Sequence, residues 1–427
     1  MRLLLYVIIV LNIISLMSFN DAKAGTLPLK DRVWILSKTY QAVSLYFAHW
    51  GSASYGPEKA DSVFQVFISK AIQAEDRSAF THLTREYMAL LQNSHTSYTD
   101  FEEYRIALPL GFEWMYFDDE WVVVESRILG LRVGDVVDSI DGVTVESLYQ
   151  KLKPSVCASS ESARRGSFKG WALSTYLSES FTMTLRDHRG DSKTVLINRN
   201  SLDERVDSNM TTGSWIKNPD VAYIKIPSFA KQEHAEDAVN MVDKYKDASS
   251  LIIDVRGNPG GNAPSMLTAA LMDQPYRRFS ESTPISIALF RYYAESSGPW
   301  WGKFRDSHMM WGSSFTSPDN TLFRGKLIIL IDRKTGSAAE DFVVSFKDNK
   351  RALIIGENSF GSSGQPYSYQ FGDIGSISIG TKRVYLPDGS PFEGVGITPD
   401  ITIIPTRNNL YEDYDPVLGR AMEEAGM

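Results

Sequence analysis

The chain has 427 residues, 43% apolar, 12% aromatic and 22% charged, which is too apolar for a disordered chain and too irregular for collagen or coiled coil. At roughly 150 residues per domain its length exceeds a single compact core. Its 44 basic and 52 acidic side chains give a net charge of −8 with no long Lys/Arg run, which argues against a phosphate-neutralising nucleic-acid surface.

Arg2 precedes the apolar run Leu3 to Phe19, broken only by Asn12, Ser15 and Ser18, and Ala22-Lys23-Ala24 follows before Gly25. This reads as a secretory signal peptide over 1–24, the alternative being a retained anchor helix. No later run is apolar for long enough to span a bilayer, so the reading is an exported protein, periplasmic or secreted, with no stable membrane span after cleavage. The single cysteine, Cys157, permits no intramolecular disulfide, and stability must come from the core.

Residues 25–105 read as a helical segment, with Val63, Val66, Phe67, Ala71, Tyr87, Met88 and Leu91 at helical spacing and a break at Asn93-Ser94-His95-Thr96. Residues 106–200 change to short strands and turns, for example Trp121 to Val124, Val136 to Ile140, Phe181 to Leu185 and Thr194 to Ile197. From 201 to 427 strands alternate with helices. Val221 to Ile226, Leu251 to Val255, Leu327 to Ile331 and Ala352 to Ile355 are the strands, with helices across Glu233 to Lys244, from Pro264 and from Ser337. That alternation argues for a layered α/β core in a multidomain α/β chain. Paired strands are expected from Ser376 to Tyr385, and residues 274–320, with Tyr292, Tyr293, Trp300, Trp301 and Trp311, read as irregular.

Two strand-to-helix turns carry candidate chemistry. The run Leu251-Ile-Ile-Asp-Val-Arg-Gly-Asn-Pro-Gly-Gly-Asn262 ends in a glycine-rich turn whose N–H groups suit an anion, either a phosphate or the oxyanion of an acyl intermediate, or form a plain tight turn. The phosphate reading lacks both G-x-x-x-x-G-K-[ST] and G-x-G-x-x-G. Ser337 and Glu340 have capping-box spacing, which explains the serine structurally; the same turn also exposes a nucleophile, with Ala338 N as an oxyanion donor. His95 is one of six histidines, and Glu393 sits among glycines in Pro391-Phe-Glu-Gly-Val-Gly-Ile-Thr-Pro-Asp400. No spacing suggests a metal: His188, His234 and His308 stand alone, H-E-x-x-H is absent, and no cofactor is called for.

In this order, the motifs DVRGNPGG, GSAAE, Ile355-Gly-Glu-Asn-Ser-Phe-Gly361 and Gly394-Val-Gly-Ile-Thr-Pro-Asp400 resemble those of the tail-specific or C-terminal processing serine peptidases, the S41 peptidases. The resemblance implies a ClpP/crotonase-like layered core with Ser337 as nucleophile. The processing branch of that family uses a lysine base, but Ser362 stands where it would fall, and a neutral hydroxyl cannot replace an amine. The chain is similar instead to the tricorn-core branch, whose Ser-His-Ser-Glu tetrad maps onto Ser94, His95, Ser337 and Glu393. His95 is then the general base, Ser94 holds its tautomer and Glu393 orients Ser94, while Ala338 and either Gly260 or Gly261 bind the oxyanion. These roles imply kcat/KM rising through roughly pH 6–7, where unperturbed histidine titrates, and little cost from Ser362→Ala. Leu108-Pro-Leu-Gly-Phe112 and Leu131-Arg-Val-Gly-Asp-Val-Val-Asp-Ser-Ile-Asp-Gly resemble PDZ signatures, implying capture of a substrate's carboxyl tail at Leu110, Gly111 and Phe112, or a spacer with a blocked groove. The expected partners are protein or peptide substrates; a catalytically silent peptide or hydrophobic-ligand binder and an esterase using the same serine are the alternatives. Oligomeric state is not fixed by these residues.

Overall fold

A computed structural model of the chain describes residues 25–106, 110–117, 119–169, 173, 177–199, 210–284 and 308–427. The expected signal segment and Tyr292, Tyr293, Trp300 and Trp301 lie outside the described residues.

Helices α1 (Leu29–Tyr46), α2 (Ala60–Ile72) and α3 (Arg77–Ala89) bury Leu36, Val43, Phe67, Phe80 and Met88 in one apolar cluster. Asp76 caps α3 by accepting from Ala79 N at 2.8 Å. The next residue, Arg77, forks onto buried Asp100 at 2.9 Å, at the end of strand β1 (Ser97–Asp100). The turn carrying residues 93–96 is thereby held at both ends.

After α4 (Phe101–Ile106) come β2 (Phe112–Phe117), β3 (Glu120–Ser126), β4 (Val136–Ile140), β5 (Val143–Thr144), α5 (Val145–Leu152), α6 (Glu161–Ser167), β6 (Ser180–Arg186) and β7 (Ser192–Asn198). The strands form an antiparallel sheet ordered β2-β3-β4-β6-β7, with β5 against β4. Alternate residues Phe181, Met183 and Leu185 point into a core with Trp114, Trp121, Tyr149 and Phe168, as a strand with one covered face requires.

The third layer system runs β8 (Thr212–Lys217), β9 (Val221–Lys225), α7 (Gln232–Lys244), β10 (Ser250–Asp254), α8 (Ser265–Leu271), β11 (Ser280–Pro284), β12 (His308–Trp311), β13 (Lys326–Ile331), α9 (Ala338–Asp348) and β14 (Ala352–Gly356). It ends with β15 (Pro366–Gln370), β16 (Gly375–Gly380), β17 (Arg383–Tyr385), β18 (Ile401–Thr402), α10 (Arg407–Tyr411) and α11 (Pro416–Glu424). Its main sheet has the order β18-β14-β13-β10-β9-β8, parallel except at β8. Both faces are covered, which is why β10 and β13 read as unbroken apolar runs. Leu251, Ile253, Ile329 and Ile331 pack beneath α7, α8 and α9, while Ile252, Ile328 and Leu330 meet Val417 and Ala421 of α11.

Two smaller sheets complete the fold. β1 pairs with β16, and β16 with β15, so the N-terminal helices sit on strands from the far end of the chain. Residues 274–320, expected to be irregular, contribute β11 and β12, which pair antiparallel and join β17. The middle sheet is fastened to the core: Arg407 Nε and Tyr411 OH both donate to Gly134 O, at 2.8 and 2.5 Å, and Arg333 Nη1 donates to Tyr116 O at 2.8 Å.

Candidate active site

The two motif turns follow the carboxyl ends of the neighbouring parallel strands β10 and β13, where open α/β sheets leave a crevice. Beyond β13, Asp332 Oδ1 accepts from Lys334 N and Thr335 N at 3.0 Å and from Gly257 N at 2.9 Å, which ties one turn to the other. Ser337 then takes φ 52°, ψ −121°, a conformation that side-chain-bearing residues seldom occupy and that costs on the order of 1–3 kcal/mol. Surrounding bonds enforce it. Ser337 N donates to Glu340 Oε2 at 3.0 Å, one arm of the expected capping box, and also lies 3.1 Å from Ser362 O. The fully buried Glu340 carboxylate also accepts from Ser359 Oγ (2.5 Å), Gly361 N (2.7 Å) and Ser362 N (3.2 Å), so one carboxylate fastens the 359–362 loop to the Ser337 turn. Complete burial pushes Glu340 up to about 8 against these four donors, which favour its charge.

The glycine-rich turn divides its labour. Buried Asp254 accepts from Tyr223 OH at 2.7 Å and from Arg256, and Arg256 reaches on to Asp415 at 2.8 Å, so the Asp and Arg of this motif anchor the start of α11. Asn258, also buried, donates to Ile226 O, accepts from Gly260 N at 2.9 Å through its side chain and from Gly336 N at 2.9 Å through its carbonyl. Gly260, at φ 97°, lies so close to the serine that a Cβ there would fall 2.7 Å from Ser337 Cβ and 2.8 Å from Ala338 N. Phe229 pairs with the turn through Gly260 O and Asn262 N, which directs the intervening Gly261 N–H the other way. Among the described residues the N–H groups of Gly261 and Ala338 have no acceptor, whereas that of Gly260 is committed to Asn258. Of the two glycines left open by sequence, Gly261 has the available donor.

Asn93 organises the third part. Its Oδ1 accepts from His95 N at 3.1 Å and Thr96 Oγ1 at 3.0 Å, and its Nδ2 donates to Glu393 Oε1 at 3.0 Å. His95 Nδ1 lies 2.8 Å from Ser362 Oγ, and Ser362 Oγ donates to Glu393 Oε1 at 2.8 Å. The hydroxyl between imidazole and carboxylate is therefore Ser362 and not Ser94. Ser94 is turned toward the middle region: its Oγ accepts from Ser159 N at 3.0 Å and its N donates to Ser159 Oγ at 2.9 Å. Ser159 Oγ in turn donates to Glu393. The expectation that Ser94 holds the imidazole, and that Ser362 is idle, is corrected by this geometry.

Burial sets the charges. Desolvation pushes His95 down to about 4, so its titration leaves the pH 6–7 window expected of an unperturbed imidazole. It pushes Glu393 up to about 7; Asn93 Nδ2, Ser159 Oγ and Ser362 Oγ all converge on Oε1, and Oε2 is buried without a partner among the described residues.

At the expected tail-binding loop, Gly111 takes φ 77° and its carbonyl accepts from Arg127 N, but the Phe112 side chain is buried in the middle core and Leu110 packs against it. The polar stretch after Ser155 forms α6, then buries Phe168 against Trp114 and Trp121, and Lys169 pairs with Glu113 of β2 at 3.2 Å. Among the described residues no group of three His, Cys, Asp or Glu could hold a metal. Asn93, Ser159, Asn258 and Ser362 were not singled out as site residues by sequence. Only Asn258 lies inside a motif, and Ser362 directly follows one at the position of the family's lysine, which was the one available signal.

Residues 220–403 match the model for peptidase family S41. The carboxy-terminal-processing protease of Bartonella bacilliformis is 35% identical over 95 residues, 22% of each chain. The chloroplastic carboxyl-terminal-processing peptidase 2 of Arabidopsis thaliana is 25% identical over 279 residues, 64% of this chain and 46% of that one. The chain thus spans less than half the length of these relatives. Among solved structures, mature CPAF complexed with lactacystin aligns over 92% of this chain and 97% of its own with a TM-score of 0.71 at 16% identity. The photosystem II D1 C-terminal processing protease aligns over 87% and 93% with a TM-score of 0.54 at 16% identity. At these identities the structures establish the shared mixed α/β fold.

Proposed function

Because the chain belongs to peptidase family S41 through residues 220–403, we propose that it hydrolyses peptide bonds through an acyl-enzyme on Ser337. The observation that carries this reading is the double role of Ser362, whose carbonyl accepts from Ser337 N while its hydroxyl joins His95 Nδ1 to Glu393. The hydroxyl has one proton. Given to Glu393, it leaves a lone pair to accept Nδ1–H, which makes Nε2 the basic nitrogen.

In the proposed reaction Ser337 Oγ adds to the scissile carbonyl as His95 Nε2 takes its proton, and the developing oxyanion is met by the N–H groups of Ala338 and Gly261. His95 returns the proton to the leaving amine, and water repeats the sequence to release the acid. A neutral imidazole held at low pKa is ready as a base over most of the pH range, and ionised Glu393 favours the imidazolium that forms in the transition state.

The finer assignments belong to the same proposal. Residues 25–105, 106–200 and 201–427 would act as helical, PDZ-like and catalytic units behind a signal segment at 1–24, in an exported enzyme. β2 is an edge strand of its sheet, which is what tail capture by strand addition requires. The described residues contain no helix long and apolar enough to cross a membrane.

A serine-directed fluorophosphonate tests the core of the reading. The full chain should be labelled at Ser337, and Ser337→Ala should lose both labelling and peptide hydrolysis, the latter by about 10⁴-fold or more. A parent chain that is folded and never labelled, or a Ser337→Ala variant that still is, would return the fold to a ligand-binding role.

A further inference from the structure

A cavity of about 220 Å³ opens beside the Ser337 turn, between Ala263–Ser265, the first turn of α9 and Ser363–Gln365. Each of these stretches adjoins a part of the site: Gly261, Ser337 itself and Ser362. The volume is below the roughly 300–1,000 Å³ of pockets that take a whole ligand, and suits one side chain. Phe279, Phe342 and Val384 line it with apolar surface.

Asp341 also lines this cavity. It stands on the first turn of α9, four residues after Ser337 in the chain, and its N–H donates to Ser337 O at 3.0 Å. Among the described residues its carboxylate accepts only from Ser363 Oγ, at 3.1 Å. The other charges on the cavity wall are engaged: Lys382 pairs with Glu281 at 2.8 Å, and Arg278 donates to Ser265 Oγ at 3.1 Å. Asp341 is the acid left with a single neutral donor, and burial pushes it up to about 6, with Glu281 adding to the rise and Lys382 and Arg278 opposing it. Lys382 and Arg278 act on this carboxylate from a distance while bonded elsewhere, so a cation entering the cavity can make the direct charged hydrogen bond that Asp341 lacks.

Resting on the acyl-enzyme reading of Ser337, we propose that this cavity receives the substrate side chain immediately before the scissile bond, and that Asp341 makes it select lysine or arginine there. The carboxylate binds the ammonium or guanidinium head, and the phenyl walls cover the aliphatic stem.

The test is a peptide series differing only at that position, carrying lysine, arginine, Nε-acetyl-lysine, leucine or glutamate, assayed with the full parent chain and with Asp341→Asn. The parent should cleave after lysine and arginine with kcat/KM at least about tenfold above leucine, and acetylation should remove that advantage. In Asp341→Asn the lysine-to-leucine ratio should fall by about tenfold. Equal cleavage after lysine and its acetylated form, a preference for leucine or glutamate, or an unchanged ratio in the variant would each overturn the assignment. The acetyl-lysine comparison needs no variant, so the idea is decided even if Asp341→Asn folds poorly. Fluorophosphonate labelling of the parent separates the two levels: a labelled chain without basic preference loses only the pocket, and an unlabelled chain loses the nucleophile as well.

Discussion

Ser94 and Ser362 differ in what their hydroxyls touch, and that difference sets their expected phenotypes. Ser362 Oγ bridges His95 and Glu393, so Ser362→Ala should remove the acceptor that fixes the imidazole and lower kcat by about 10²-fold with KM little changed. Ser94 Oγ satisfies the half-buried Ser159 N, so Ser94→Ala should leave that donor without its protein partner and cost about 1 kcal/mol of stability with a small effect on kcat. Steady-state kinetics and thermal melts on both variants check the order, and a larger kcat loss in Ser94→Ala would sink the Ser362 relay. Sequence reasoning put Ser94 in the relay and left Ser362 without a role, because it could not see the partners of either. A hydroxyl carries no mark of its partner, and the contact between His95 and Ser362 spans 267 positions of chain. Glu393 and Ser337 were easier because glycines and a strand-to-helix change surround them.

At the scale of elements, the site depends on how closely β16 approaches the turn after α3. Gly380 at the end of β16 donates to Thr96 Oγ1 at 3.0 Å, and a Cβ on it would fall 2.4 Å from Asn93 Oδ1 and 3.3 Å from the His49 ring. Asn93 cannot retreat without releasing His95 N and Glu393, so Gly380→Ala should cost about 1–3 kcal/mol through overpacking and also slow turnover. A melt combined with the rate of fluorophosphonate labelling checks both effects; a variant matching the parent in each would show that the turn tolerates displacement. The strands of the main sheet were legible because burial on both faces writes them as short apolar runs, as at Leu251 to Val255 and Leu327 to Ile331. β1 and β11 were not. Ser97–Asp100 and Ser280–Pro284 are short and polar, and become strands only because β16 and β17 offer them partners.

For the whole molecule, several buried acids sit close together where the regions meet, and their protonation links stability to pH. Burial raises Glu393 to about 7, Asp341 to about 6 and Glu340 to about 8, all above their ordinary values, so over this range the folded chain holds protons that the unfolded chain has released. Unfolding stability therefore falls as pH rises from about 5 to about 8. His95 acts in the opposite sense: lowered to about 4, it binds fewer protons folded than unfolded below about 6.5, which offsets one acid in the lower half of the window. Above about 6.5 that offset fades, and among the described residues Glu393 and Glu340 carry the downward slope until Lys169, lowered to about 8, begins to oppose them. The melting temperature of the full chain should thus decline between pH 6.5 and 8, and Glu393→Gln, which keeps the shape and removes one titration, should flatten the early part of that decline. Calorimetry of both chains across pH 5–8 measures this directly. A parent whose melting temperature rises over the same interval would mean that these carboxylates are ionised at little cost, and that the donors around Glu340 and Glu393 outweigh their burial.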